Sequence, residues 1–209
     1  KANVTSDELG QLLRTAQHNG LAVALHAIGD AAVGIGLDAF EQTGATGAIE
    51  HAQLMRREDI ARMARLGLTA SVQPAHLLDD RDLTTRCWPG REDRCFPLRS
   101  LIDAKVPLAL GSDAPVAPLD PWLAMAAAVH RSADERPPWV PEQAITAAEA
   151  LGSSTDGWGT VAAGHPGDLV LLDGDPLAQA ESTAAAAATL RERRADVTIV
   201  AGHVVYDAR

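Results

Sequence analysis

The chain has 209 residues, 46% of them hydrophobic, and a formal net charge of −10 at pH 7. This length and apolar content suffice for a buried core with a small additional module. The acidic balance excludes a basic nucleic-acid footprint, and no apolar run approaches the roughly 20 residues that cross a bilayer, so we expect neither nucleic acid nor membrane partners. No charged-then-apolar leader follows Lys1, so we expect a cytoplasmic protein with Cys87 and Cys95 reduced.

The predicted elements alternate between helix and strand through most of the chain. Thr5 and Glu8 have the spacing of a capping box, and apolar residues follow at helical intervals until Gly20. Similar stripes and caps predict the helices 6–19, 31–43, 57–66, 97–104 and 121–131. Apolar runs, typical of parallel strands covered on both faces, predict the strands 21–26, 47–51, 68–73 and 106–110. Pro74 ends the third strand and is predicted to open a long polar loop.

This alternation requires parallel crossover connections. An open doubly wound sheet and part of a (β/α)8 barrel both satisfy it, and periodicity alone does not separate them. The tail has a different pattern, which predicts a hairpin turn at Gly202-His203, a helix within 176–194 and the strands 168–173, 197–201 and 204–206. We therefore expect an α/β part in residues 1–151 and a smaller β-rich module in residues 152–209.

Three side chains able to bind a metal follow the predicted strands: His26, His51 and Asp113. Taken singly, a histidine at a strand end is ordinarily a hydrogen-bonded structural residue, and Ser-Asp-Ala-Pro is an ordinary turn. Their equivalent positions favour the barrel, because barrel enzymes collect their chemistry at the carboxyl ends of the strands. Two imidazoles and a carboxylate suit one divalent metal, with zinc expected, and leave a position for water. Such a metal lowers the pKa of water to about 7, and Asp113 can take the proton.

The local sequences around these residues carry a family resemblance. They are His26-Ala-Ile-Gly-Asp30, Ile49-Glu-His-Ala-Gln53, Ser71-Val-Gln-Pro-Ala-His76 and Gly111-Ser-Asp-Ala-Pro115. Together and in this order, they resemble the amidohydrolase superfamily, in particular its YtcJ-like and N-substituted formamide deformylase branch. The tail segments 167–176 and 198–206 also look like the ending of that family. The resemblance covers nearly the whole chain.

The resemblance implies the second half of a (β/α)8 TIM barrel, strands five to eight, together with the C-terminal strands of a small β-sandwich. It implies that His26, His51 and Asp113 bind the metal and that Asp113 is also the general base. For four other residues the resemblance implies roles less directly, and simpler alternatives stay open. Gln73 and His76 would face the substrate, although His76 equally suits a plain loop position. Asp30 and Glu50 would orient the metal-bound imidazoles, or instead cap a helix or pair with an arginine.

The implied activity is hydrolysis of a carbon–nitrogen bond other than a peptide bond, in a small amide-like substrate. Two alternatives stay open: another reaction of the superfamily, such as ester hydrolysis or isomerisation, and a catalytically incomplete fragment with only a structural or self-associating role. The second is open because the family's His-x-His pair and bridging lysine, glutamate or cysteine ligand are absent from this sequence. A missing N-terminal half or a homo-oligomeric partner would then have to complete the barrel.

Overall fold

The computed structural model describes residues 3–158 and 161–209. Residues 1–2, which include Lys1, and residues 159–160, within the predicted second module, lie outside the described residues. The helices and strands, in chain order, are α1 (Ser6–His18), β1 (Val23–Ala27), α2 (Asp30–Thr43), β2 (Gly47–His51), α3 (Arg57–Leu66), β3 (Thr69–Val72), α4 (His76–Cys87), α5 (Leu98–Asp103), β4 (Leu108–Leu110), α6 (Pro121–His130), α7 (Ala147–Gly152), β5 (Leu169–Leu172), α8 (Thr183–Glu192), β6 (Ala195–Val200) and β7 (His203–Asp207). Short 3₁₀ helices span Glu92–Arg94 and Pro141–Gln143.

Strands β1 to β4 form a parallel sheet in the order β1-β2-β3-β4. The predicted strands are confirmed, with β4 starting at Leu108 rather than Val106, because Pro107 has no N–H to donate to a ladder. Helix α2 packs closely on one face: a Cβ added to Gly36 would lie 2.7 Å from Leu25 Cδ2 and 3.4 Å from Ile49 Cδ1. Side chains on this face enter the main core, in which Ile49 and Ala70 are fully buried.

The first strand differs from its prediction as a strand covered on both faces. Along β1, Ala24 and His26 are exposed, while Val23 and Leu25 are only partly buried. Within the described residues β1 pairs with β2 alone, so its other edge carries unpaired backbone groups. An apolar sequence is therefore no guarantee of burial at this edge of the sheet.

The segment after β3 was predicted as a long polar loop, and this prediction is wrong. Helix α4 begins at His76, two residues after Pro74, and runs to Cys87. A proline just before a helix is harmless, because the first N–H groups of a helix have no intrahelical partner. Leu77 and Thr84, seven residues apart, form the buried stripe of the helix. Helix α7 was also missed, although Thr146 and Glu149 form a complete capping box at its start.

A smaller core, which we call the second core, lies beside the first and consists of Leu54, Leu77, Cys95, Phe96 and Trp139. The Phe96 and Trp139 rings meet edge to face with centroids 6.1 Å apart. The second core therefore joins three loops: the loop after β2, the segment before α5 and the loop after α6.

Strands β5, β6 and β7 form a separate antiparallel sheet. The hairpin turn between β6 and β7 lies at Ala201-Gly202, one residue earlier than predicted, since Val200 pairs with His203. Both turn residues have positive φ, 49° and 79°, which a two-residue turn of this hand requires and which glycine adopts readily. The helix predicted within 176–194 is confirmed as α8, whose Ala187 and Leu190 enter the main core next to α6.

None of the helices in the described part of the chain is both long enough and apolar enough to cross a lipid bilayer.

Candidate metal centre

Two of the predicted ligands occupy unusual backbone positions just after the strands. His51 ends β2 with φ 70°, and Asp113 follows β4 with φ 55°. For residues other than glycine, this left-handed region costs about 1–2 kcal/mol, so it persists only where the surrounding structure fixes it. Strained backbone of this kind concentrates at functional sites. The side chains of His51 and Asp113 are therefore held at the strand ends by a backbone conformation that costs free energy.

The side chains of His51, His76 and Asp113 converge at the carboxyl end of the sheet. His51 Nε2 lies 3.9 Å from Asp113 Oδ2, and one ligand atom from each of the three residues lies within 4.8 Å of the others. His76, at the start of α4, stacks on His51 with ring centroids 5.8 Å apart. This convergence places His76, expected to face the substrate, beside two of the predicted metal ligands.

His26 borders the same cluster through its contact with His51. Its ring meets that of His51 edge to face, with centroids 4.6 Å apart. It is not in the group whose ligand atoms lie within 4.8 Å of one another. His26 also lines an open, largely apolar groove of about 910 Å³, whose wall includes Leu25, Ile35 and Trp88. The structure therefore brings His26 to the site, and its role as a metal ligand stays a prediction.

The three converging residues fit a divalent metal ion by donor type and by spacing. Two imidazoles and a carboxylate are ligands that zinc prefers, and tetrahedral zinc holds ligand atoms about 3.4 Å apart at bond lengths near 2.0–2.1 Å. The 3.9 Å between His51 Nε2 and Asp113 Oδ2 needs only a small contraction to reach that spacing. His76 Nε2 is buried without a hydrogen-bond partner among the described residues. A metal ion would satisfy this atom, whose isolation is otherwise unfavourable.

Burial lowers the pKa of the His51 imidazole, and the neighbouring His26 lowers it further. Asp113 acts in the opposite direction, because its carboxylate favours the protonated imidazole. The net lowering keeps His51 neutral at neutral pH, with a lone pair free to bind a metal. The electrostatic environment of His51 therefore matches the requirement of a ligand.

Gln73 lies directly after β3 and is buried. Its Nε2 donates a hydrogen bond of 3.3 Å to the Ser71 carbonyl, while its Oε1 is buried without a partner in the described part of the chain. An amide oxygen in this state can accept a hydrogen bond from a substrate N–H. Its predicted contact with substrate stays a prediction.

The two residues expected to orient imidazoles lie differently. Asp30 begins α2 and pairs with arginines, at 3.2 Å from Arg91 Nη1 and 3.8 Å from Arg94 Nη1, which matches the simpler alternative. Glu50 precedes His51 and lies opposite His26 in the strand register. Its carboxylate slightly raises the pKa of His51, and its role as an orienting residue stays a prediction.

His76 was expected to face the substrate or to lie in a plain loop, and its place beside His51 and Asp113 was not predicted. It follows β3 by four residues, a position comparable to that of Asp113, which follows β4 by three. The expected loop after Pro74 concealed this equivalence, since a histidine in a long loop has no fixed direction. Recognition of α4 would have indicated that His76 is held at the end of the sheet.

The chain is similar to known proteins in its sequence and in its fold. The model of the amidohydrolase family matches residues 1–206. YtcJ of Bacillus subtilis (strain 168), whose name designates an amidohydrolase, is 31% identical over 98% of this chain and 41% of its own length. The N-substituted formamide deformylase of Arthrobacter pascens is 31% identical over 83% of this chain and 35% of its own.

A solved structure, described as an uncharacterized metal-dependent hydrolase from Pyrococcus horikoshii OT3, superposes with a TM-score of 0.69 and 35% identity. The match covers 74% of this chain and 32% of that one. The chain thus spans less than half the length of each of these three proteins. The resemblance inferred from the four strand-end motifs is confirmed, and the chain belongs to the amidohydrolase family.

Proposed function

We propose that the protein containing this chain is a metal-dependent hydrolase that cleaves carbon–nitrogen bonds other than peptide bonds in small amide-like substrates. The observation that carries the proposal is the convergence of His51, His76 and Asp113, with His76 Nε2 buried and without a partner among the described residues. Family membership supports the hydrolytic chemistry, and the deformylase relative supports the choice of a carbon–nitrogen bond.

His51 and Asp113 are common to both candidate ligand sets. The geometry favours His76 as the third ligand, whereas the family resemblance favours His26. The expected metal is zinc, because imidazole nitrogen with carboxylate oxygen suits Zn²⁺ and leaves a position open. A bound divalent ion of this kind lowers the pKa of water to about 7 and polarises a carbonyl group.

The residues of the chain supply the proton transfer and the orientation. A carboxylate oxygen of Asp113 takes the proton of the attacking water and then delivers it to the leaving nitrogen, which departs as an amine. Gln73 Oε1 accepts a hydrogen bond from the amide N–H and holds the substrate in position. The neutral His51 keeps its lone pair for the metal.

The test uses the full-length protein with a panel of N-substituted amides, esters and isomerisable substrates. We expect hydrolysis of an amide, loss of activity with a chelator, recovery with Zn²⁺ and a loss of at least about 100-fold in kcat for Asp113→Asn. Full activity in excess chelator would exclude the proposal. Turnover of the esters or the isomerisable substrates alone would favour the other superfamily reactions.

A second candidate function is a structural or self-associating role without turnover. Within the described residues β1 pairs with β2 alone, and a strand edge that lacks a neighbour is a template for pairing with another chain. Sedimentation of the 209-residue chain tests this candidate. A homo-oligomer that binds no metal supports it, and a monomer that binds one divalent ion contradicts it.

A further inference from the structure

Arg131, the residue directly after α6, is a fully buried charged side chain, with 0% of its surface exposed. Its guanidinium donates three hydrogen bonds: Nε to the Trp139 carbonyl at 2.7 Å, Nη1 to the Phe96 carbonyl at 3.1 Å and Nη2 to the Cys95 carbonyl at 3.3 Å. All three acceptors are backbone carbonyls. Burial lowers the pKa of Arg131 to about 10, so it stays charged at neutral pH. A buried charge of this kind is costly unless it is hydrogen-bonded, as the Arg131 guanidinium is.

The carbonyls that Arg131 holds belong to a segment paired with the loop after His51. Phe96 N donates to the Gln53 carbonyl at 2.7 Å, and Leu54 forms a β-bridge with Cys95. Gln53 and Leu54 are two and three residues beyond His51. The guanidinium is therefore connected to the candidate ligand through two hydrogen-bonded backbone segments.

The same network reaches His76 through the second core. Leu77, adjacent to His76, packs with Leu54, Cys95, Phe96 and Trp139 in that cluster. Arg131 reaches the carbonyls of three of them, Cys95, Phe96 and Trp139, at the same time only if their loops keep their present spacing. Arg131 therefore fixes the loops on which the second core, and with it the start of α4, rests.

Backbone strain is concentrated in this network. Nine residues other than glycine have positive φ within residues 3–158 and 161–209. Six of the nine lie in this part of the molecule. They are in the candidate centre, in the loop after β2 or in the loops that the second core joins: His51, Ala52, Phe96, Asp113, Arg131 and Val140. Such conformations persist only when neighbouring contacts determine them. The bonds from Arg131 to the carbonyls of Phe96 and Trp139 are contacts of this kind.

We infer that Arg131 is a positioning residue for the metal centre: by binding the carbonyls of Cys95, Phe96 and Trp139, it holds His51 and His76 at the spacing that a metal ion requires. This inference rests on the proposed function. Lysine cannot replace it, because one ammonium lacks the planar fork that reaches three carbonyls. A residue that orients metal ligands from outside the coordination shell typically contributes 10- to 100-fold in metal affinity.

The test compares Arg131→Lys in the full-length protein with two controls. Arg99→Lys changes an arginine that binds Glu149 on α7, and Leu190→Ala destabilises the main core at α8. Zn²⁺ affinity is measured by competition with a chromophoric chelator, and the geometry of the site by the visible spectrum of the Co²⁺-loaded protein. Circular dichroism confirms folding, and Arg131→Gln replaces Arg131→Lys if the lysine variant does not fold.

We expect the Arg131 variant to bind Zn²⁺ about 10- to 100-fold more weakly and to show an altered Co²⁺ spectrum. Both controls should stay within about twofold of the unmodified protein. An Arg131 variant within twofold and with an unchanged spectrum would overturn the inference while leaving the proposed function intact. An unmodified protein that binds no divalent ion would overturn both.

Discussion

His51 contacts two other imidazoles, those of His26 and His76, and the carboxylate of Asp113 lies 3.9 Å from its Nε2. Burial and the nearby His26 hold its pKa below the ordinary value, so the ring is neutral where a metal ligand must be neutral. Its left-handed backbone adds a cost that local packing must offset. His51 thus combines the neutral state that a metal ligand requires with a backbone conformation that costs free energy.

Single histidine substitutions separate the two ligand sets. His51→Ala should weaken binding of Zn²⁺ by more than the roughly 100-fold that loss of an orienting partner costs, because it removes a ligand common to both sets. If His76 is the third ligand, as the geometry favours, His76→Ala should weaken Zn²⁺ binding to a similar degree. If His26 is the third ligand, as the family resemblance favours, His26→Ala should do so instead. Calorimetric titration of the full-length protein measures these affinities. His203→Ala, on exposed β7, is the control and should leave the affinity unchanged.

The ion pair between Arg99 and Glu149 gives a pH-dependent prediction. The hydrogen bonds from Arg99 lower the pKa of Glu149 to about 2 from an ordinary value of 4.5. Because the folded-state pKa is lowered, the stabilisation is complete above about pH 4.5 and disappears as pH falls towards 2. Since the Glu149 side chain is 31% exposed, solvent screening reduces the expected contribution to about 1–2 kcal/mol.

Urea unfolding of Glu149→Gln measures this contribution. At pH 7 the variant should lose about 1–2 kcal/mol in free energy of unfolding, and the difference should shrink towards zero near pH 2. Glu181→Gln, at an exposed position, is the matched control and should show no difference. A loss for Glu149→Gln that is the same at all pH values would contradict the assignment of the stabilisation to the charge.

At the scale of secondary-structure elements, the β1–β2 pairing depends on Gly47. A Cβ at this position would lie 1.9 Å from the Val23 carbonyl oxygen, and its φ of 152° is one that other residues rarely adopt. Gly47→Ala should therefore separate the two strands that carry His26 and His51. We expect a loss of about 3 kcal/mol or more in free energy of unfolding.

The control for this substitution is Gly152→Ala in α7, where no atom lies within 4 Å of the added Cβ and φ is ordinary. It should change the free energy of unfolding by less than about 1 kcal/mol. Thermal and urea unfolding of both variants give the comparison. Equal stability of the two variants would mean that the close approach of β1 to β2 is not required.

Local signals predicted most elements and failed where a partner elsewhere in the chain decides the outcome. The helices α1 and α3 and the strand β2 follow their predicted limits closely, because caps, glycines and apolar spacing are encoded within each segment. Helix α4 escaped prediction, since its charged sequence has only a narrow buried stripe, which packs in the second core. The position of His76 beside His51 and Asp113 was hidden for the same reason.

For the whole molecule, the four strand-end motifs were enough to predict the family, and the sheet order agrees with the predicted parallel crossovers. The bonds of Arg131 could not be predicted, because its acceptors lie in segments 8 to 36 residues away along the chain. The exposure of β1 was also unpredictable, because it follows from pairing with β2 alone within the described residues. The division at residues 151 and 152 stays a prediction, with α8 packed next to α6 across it.

The convergence of His51, His76 and Asp113 on one divalent ion is tested most directly by a crystal structure of the full-length protein grown with Zn²⁺. Diffraction data collected on both sides of the zinc absorption edge locate the ion without reference to the protein density. We predict an anomalous peak about 2.0–2.2 Å from His51 Nε2 and from an Asp113 carboxylate oxygen, with the His76 imidazole as a further ligand. A zinc ion bound away from these residues, or no peak at the end of the parallel sheet, would contradict the account.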